Sequence, residues 1–166
     1  MIKIFITIFV SSMLVSGCTT TAFIPIANCK PLSAYNTVIL MPFSTDRVVV
    51  LEKRVRMIAS PDTLNVISDS ISEKLKDKLD NSGKFDKVII NGNCVDRAIK
   101  IEAKVTALTH RKGRYHIFAE GKISDCKTGV PLYKFELDER DSNLLVIPNQ
   151  IANEVFNGIQ GKMVCI

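Results

Sequence analysis

From Ala98 the chain alternates: Ile99, Ile101, Ala103, Val105 and Ala107 share one parity, while Lys100, Glu102, Lys104 and Thr106 share the other. A period of two sustained over this length predicts an antiparallel strand with one dry and one wet face. Residues 110–114, which contain Gly113, predict a hairpin loop, and Tyr115, Ile117, Ala119, Gly121 and Ile123 the returning strand. A second turn at Asp125-Cys126-Lys127-Thr128-Gly129 leads into a third strand alternating at Tyr133, Phe135 and Leu137. Together they predict a three-strand meander.

The period changes on either side. After Pro61, Leu64, Ile67, Ile71, Leu75 and Leu79 recur at spacings of three and four, opposite Asp69, Glu73, Lys76, Asp77 and Asp80. That pattern predicts an amphipathic helix capped by Asp62 or Thr63 and stopped at Ser82-Gly83. Pro148 opens a second helix with Ile151, Val155, Ile159 and Met163 on one face, broadened by Phe156, since a proline in the first turn lacks only an N–H that would have no partner there. Two compact apolar runs, residues 37–43 closed by Pro42 and residues 87–90 after Phe85, read as buried strands. The order β-α-β-β-β-β-α predicts an α+β fold: a mixed or antiparallel sheet of about five strands covered by two helices. Residues 44–60 fit no single period. Residues 19–35, with Pro25 and Pro31, also fit none and read as a tether.

The first residues carry a different message. One cation, Lys3, precedes an uncharged apolar run to Leu14, too short for a membrane span of about 20 residues but suited to a secretory signal. The run ends at Val15-Ser16-Gly17-Cys18, a branched residue and two small ones before cysteine. This resembles the lipobox of bacterial lipoproteins, which implies that residues 1–17 are a signal peptide and that Cys18 is lipidated and becomes the first mature residue. Two or three acyl chains make a stable anchor where a single chain gives only marginal binding. Thr19 stands where the family's inner-membrane retention signal has aspartate, so the resemblance implies an outer-membrane, periplasm-facing protein.

Processing leaves about 150 residues, enough for one core, so residues 18–35 read as lipidated cysteine and tether and 36–166 as a single domain. Cys29, Cys94, Cys126 and Cys165 then form an even set in an oxidising compartment, where two disulfides are the expected use. Three connectivities are open. A hairpin turning near Lys112 brings Cys94 and Cys126 to one end of the sheet, which favours that pair and leaves Cys29 with Cys165. The spacings match neither a zinc knuckle nor a CxxC redox motif, so no metal or cofactor is expected.

The net charge is +5, with cations clustered at Lys53, Arg54 and Arg56 and again at Arg111, Lys112 and Arg114. Arg54, Arg56, Arg111 and Arg114 are therefore the candidate contact residues, facing anionic lipid, phosphate or acidic polymer. Nucleic acid is not an expected partner of an exported chain without a recognition motif. His110 and His116 read as surface loop residues lacking a nucleophile and an orienting partner. Asp138, Glu139 and Asp141 read as a solvated turn at a strand end rather than a carboxylate pair for glycoside hydrolysis. No glycine-rich phosphate loop is present. No catalytic residue is expected.

The stretches YNTVILMPF, LNVISDSISEKLKDKLDNSGKFDKVII, AIKIEAKVTAL and YHIFAEGKISDCKTGVPLYKFEL resemble the domain shared by the curli secretion lipoprotein CsgG, the penicillin-binding-protein activator LpoB, the N-terminal domain of TolB and many small lipoproteins. The resemblance covers roughly residues 36–164 and rests on element order. It implies a protein-binding accessory role in an envelope assembly for secretion or wall synthesis, with self-association into a ring or coat as the alternative. The chain lacks the long alternating hairpins of a CsgG-type pore, the long tether of LpoB and the TolB propeller.

Overall fold

The computed structural model describes residues 22–26, 31–51, 55 and 59–162. Among them the chain runs β1 (Ala22–Pro25), β2 (Thr37–Leu40), β3 (Val49–Val50), α1 (Pro61–Asn81), β4 (Lys87–Ile90), β5 (Ala98–Arg111), β6 (Arg114–Asp125), β7 (Pro131–Asp141) and α2 (Ile147–Gly161). The architecture is the expected α+β layer pair, with seven strands rather than about five. The strands lie in the order β1-β7-β6-β5-β2-β4, with β3 also against β5.

The meander β5-β6-β7 is antiparallel throughout. On its other side β5 is flanked by parallel neighbours that form an interrupted edge: β2 beside Ala98–Ile101, Ser44 bridged to Lys104, then β3 beside Ala107 and Leu108. β4 completes that edge, parallel to β2. The period of two slips once, at a bulge between Val105 and Ala107. Leu108, not Ala107, is therefore fully buried on the far side, because an extra residue in one strand reverses the side-chain parity beyond it. Thr106, the extra residue, donates its hydroxyl to the Phe118 carbonyl at 3.2 Å.

Both helices cover one sheet face. Helix α1 turns Ile67, Ile71, Leu75 and Leu79 inward, and α2 adds Ile151, Val155 and Ile159 to the same core; Met163 lies outside the described residues. The cap of α1 is Ser60, whose Oγ accepts from the Thr63 N–H at 3.1 Å, ahead of the expected Asp62 or Thr63 because Pro61 is itself the first helical residue. Gly83 ends the helix at φ +63°, a left-handed conformation that glycine adopts without a Cβ penalty. Ser68 and Ser72 are buried on α1 where β2 ends, Ser68 donating to the Phe43 carbonyl and Ser72 accepting from the Phe43 N–H at 3.3 Å. These bonds satisfy the backbone that Pro42 releases from the sheet.

Residues expected in the tether belong in part to the fold. Ala22–Pro25 pairs antiparallel with Glu136–Tyr133 of β7, and Phe23 stacks on Phe135 with ring centroids 5.2 Å apart. Leu32 and Tyr35 are buried, and the Tyr35 hydroxyl donates to Asp125 at 2.9 Å. The short run Ala22–Pro25 carries no period of its own; backbone pairing with β7 and the packing of one half-buried aromatic ring hold it. A Cβ built on Gly158 of α2 would fall 2.0 Å from the Phe23 ring. Gly158→Leu should therefore displace that ring, cost about 1–3 kcal/mol and speed hydrogen exchange at Ile26, whose N–H donates to Leu132, ahead of exchange in β5 and β6. Unchanged exchange at Ile26 would show that β1 does not depend on this contact.

At the opposite end of the meander from the β5–β6 turn, residues 91–97 pass across the helix-free face. A Cβ on Gly92 would sit 2.7 Å from Ile89 and 3.5 Å from Ile39, so the backbone lies directly on those side chains. A small second cluster of Ile39, Ala98 and Cys126 results. Cys94 and Cys126 are disulfide-bonded, the pairing that the hairpin geometry favoured. Cys18, Cys29 and Cys165 lie outside the described residues, as do Arg54 and Arg56.

Candidate functional site

The helix-free face is charged along its length, but not uniformly. Over its middle, opposite charges meet, across strands from Lys104 to Glu120 at 2.8 Å and from Lys122 to Glu102 at 3.2 Å, and along β5 from Lys100 to Glu102 at 2.8 Å. The Lys100 ammonium, followed by burial acting the other way and then Lys122, holds the Glu102 carboxyl below its ordinary value. Three lysines share two carboxylates here, so this part of the face is one charge positive but every one of these cations is paired.

Toward the β5–β6 turn that pairing is lost. Beyond the bulge, Ala107, Thr109 and Arg111 lie opposite Phe118, His116 and Arg114, and Phe118 and His116 lie opposite Asp138 and Arg140. A depression of about 500 Å³ opens there, lined by Leu51, Thr109, Arg111, His116, Phe118, Asp138 and Arg140. Arg140 donates to Asp138 through Nε at 3.1 Å and through Nη2. The other Asp138 oxygen is buried, with no hydrogen-bond partner in the described structure, and lies 3.7 Å from His116 Nδ1. His116 titrates below its ordinary value, first because burial disfavours the imidazolium; Asp138 opposes this, whereas Arg140, Arg111 and Arg114 add to it. Arg111, Arg114 and Arg140 thus all act on His116, with Asp138 opposing them.

Arg111 and Arg114, candidates from the sequence, are thus brought together at the turn, exposed, with Lys112 between them. Lys112 takes φ +50° and Gly113 φ +77°, the two left-handed residues of a tight two-residue hairpin. Arg111, Lys112 and Arg114 enter no ion pair among the described residues. His110 packs on Tyr115 with centroids 4.8 Å apart, and His116 hydrogen-bonds to no hydroxyl among the described residues.

Sequence reasoning missed two participants. Arg140 passed unnoticed because Asp138-Glu139-Arg140-Asp141 looks like a solvated turn, yet it lies within β7. Glu139 keeps the parity of Tyr133, Phe135 and Leu137 and is 1% exposed on the core side, with one carboxylate oxygen lacking a hydrogen-bond partner. Burial, then the charges of Glu154 and Asp138, raise its pKa to about 7 against the pull of Arg140. The signal was the unbroken period of two, outweighed by the local density of charge.

No family model matches the chain, and no curated protein matches it. Solved structures share the fold. A dodecamer of a single-residue variant of PelC from Paraburkholderia phytofirmans is 12% identical, with a TM-score of 0.58 over 86% of this chain and 98% of that one. The PelC dodecamer from the same organism in another crystal form is 10% identical, with a TM-score of 0.56 over the same shares. At such identities the likeness is one of fold.

Proposed function

We propose that this chain is an outer-membrane lipoprotein, anchored through Cys18 and facing the periplasm, that serves as a non-catalytic binding module of an envelope assembly for secretion or wall synthesis. The observation that carries the reading is the start of the sheet at Ala22, four residues after the lipobox cysteine. An acyl anchor on Cys18 would hold the folded domain against the bilayer, where Arg111 and Arg114 form an exposed contact surface. The CsgG, LpoB and TolB resemblance belongs to the same reading and supplies the protein-binding role. The Leu32 N–H donates to the Lys162 carbonyl at 3.0 Å, each residue three positions from a remaining cysteine, which supports a Cys29–Cys165 pair.

A second reading, self-association into a ring, draws support from the assembly of the PelC structures that share the fold, which are dodecamers. Cross-linking of the lipidated form in intact cells, followed by mass spectrometry, separates the two. Recovery of a wall synthase or secretion component supports the accessory module, and recovery of the chain alone supports the ring. The anchor itself is tested by Cys18→Ser, which should move the protein from the membrane pellet to the soluble fraction. Retention in the pellet would remove the lipobox from the argument.

A further inference from the structure

We propose that the β5–β6 turn is a membrane-docking surface that sets Arg111, Lys112 and Arg114 among the anionic headgroups of the bilayer that anchors the chain. The inference rests on the lipidated Cys18 of the proposed function and adds an orientation to it. Direction is the first argument. β1 runs antiparallel to β7, Ala22 beside Glu136 and Pro25 beside Tyr133, and β7 runs from the disulfide end toward the β5–β6 turn, where Asp141 pairs with Tyr115. The N-terminal end of β1 therefore points toward the turn, and the chain from Cys18 enters the fold from that side.

Reach is the second. Four residues span at most about 14 Å, so the acylated residue lies no farther than that from Ala22. Ala22 is level with Glu136, which pairs with Glu120 of β6. From Glu120 to Arg114 is six strand residues, roughly 20 Å at about 3.3 Å each. With the anchor extended along the strand direction, the turn projects about 6 Å past Cys18, to headgroup depth. The anchor cannot be lengthened, because Phe23 is fixed on Phe135.

The chemistry of the end agrees. Residues 109–117 hold three cations, two histidines and no acid. The nearest carboxylates are engaged, Asp138 by Arg140 and Asp141 by the Asn143 N–H and the Gln150 amide. Leu145, in the loop leaving β7 at this end, is 76% exposed, and Leu51 is 65% exposed beside Arg111. Cations that form no ion pair among the described residues, interspersed with exposed aliphatic side chains, suit an anionic interface. At the far end Lys127 is bound to Asp96 at 2.8 Å.

The test uses the full lipidated chain in nanodiscs of phosphatidylethanolamine, with or without phosphatidylglycerol, containing a lipid with a nitroxide headgroup. Amide signals of residues 111–114 should broaden in the anionic discs while those of 126–129 stay sharp. Arg111→Glu with Arg114→Glu should keep the protein on the disc yet lower the docked-to-free ratio by at least about 25-fold, at roughly fivefold per cation removed. Equal broadening at both ends, or broadening unaffected by the double variant, overturns the docking while leaving the anchor intact. A chain that carries no lipid and does not enter the discs overturns both.

Discussion

Glu139→Gln should stabilise the domain by about 3 kcal/mol at pH 8 and leave it almost unchanged at pH 4. The Glu139 carboxyl is buried on the core face of β7, and its pKa rises from 4.5 to about 7. The folded state therefore holds a proton that the unfolded chain releases near pH 4.5. Below that pH both states are protonated and the group contributes no penalty. As pH rises toward 7 the folded protein must give up the proton or keep it against solvent, and above 7 the full cost of a buried anion is present. At about 1.36 kcal/mol for each pKa unit, that cost reaches about 3 kcal/mol. Glutamine keeps the shape and removes the titration, so denaturant unfolding between pH 4 and 9 should show a falling stability for the wild type and a flatter curve for the variant. Parallel curves would place the charge of Glu139 outside the stability of the fold.

Cys94→Ala with Cys126→Ala should lower the midpoint of thermal unfolding by roughly 10 °C. The bridge closes a loop with a sequence separation of 32, and the chain-entropy account of such a loop gives about 3–4 kcal/mol. The effect should also be local. Residues 91–97 cross the helix-free face over Ile39 and Ile89, and without the bridge that crossing is held by the packing of Ile39 and Ala98, the exposed Lys127–Asp96 ion pair and the hydrogen bonds of Arg97 with Ala34 and Asn36. Hydrogen exchange at Asn91, whose N–H donates to the Leu40 carbonyl at 2.9 Å, should accelerate more than exchange in the β5–β6 ladder. An unchanged midpoint would mean that the noncovalent contacts secure the loop without the bridge.

The two helices and the meander were legible because each repeats its pattern often enough to outweigh local composition. Ile67, Ile71, Leu75 and Leu79 state a helix face four times, and Tyr133, Phe135 and Leu137 state a strand face three times. Where the pattern is brief, tertiary structure decides. Ala22–Pro25 is a strand because Phe23 finds Phe135 and a glycine in α2, partners far away in sequence. Val49–Val50 is a strand because β5 offers an edge beyond Ser44. A single inserted residue at Thr106 alters parity without altering composition, so the bulge leaves no trace in the sequence. At the candidate site, Arg111 and Arg114 were visible as neighbours flanking a turn. Arg140 was not, because its place beside them depends on the register of β7.

The pairing of β1 with β7 also sets an order of events. Ala22 and Glu136 stand near opposite ends of the described chain yet are neighbours in the sheet, whereas β5, β6 and β7 are joined by short turns. Contacts between distant segments form late, since closing a long loop costs entropy before any contact repays it. The N-terminal strand therefore finds its partner last, after the meander has formed. Until then β1 is not held by the sheet, and under the proposed lipidation of Cys18 that interval is when a membrane enzyme would act. Docking of β1 would close that interval and leave only the four residues from Cys18 to Ala22 as a leash.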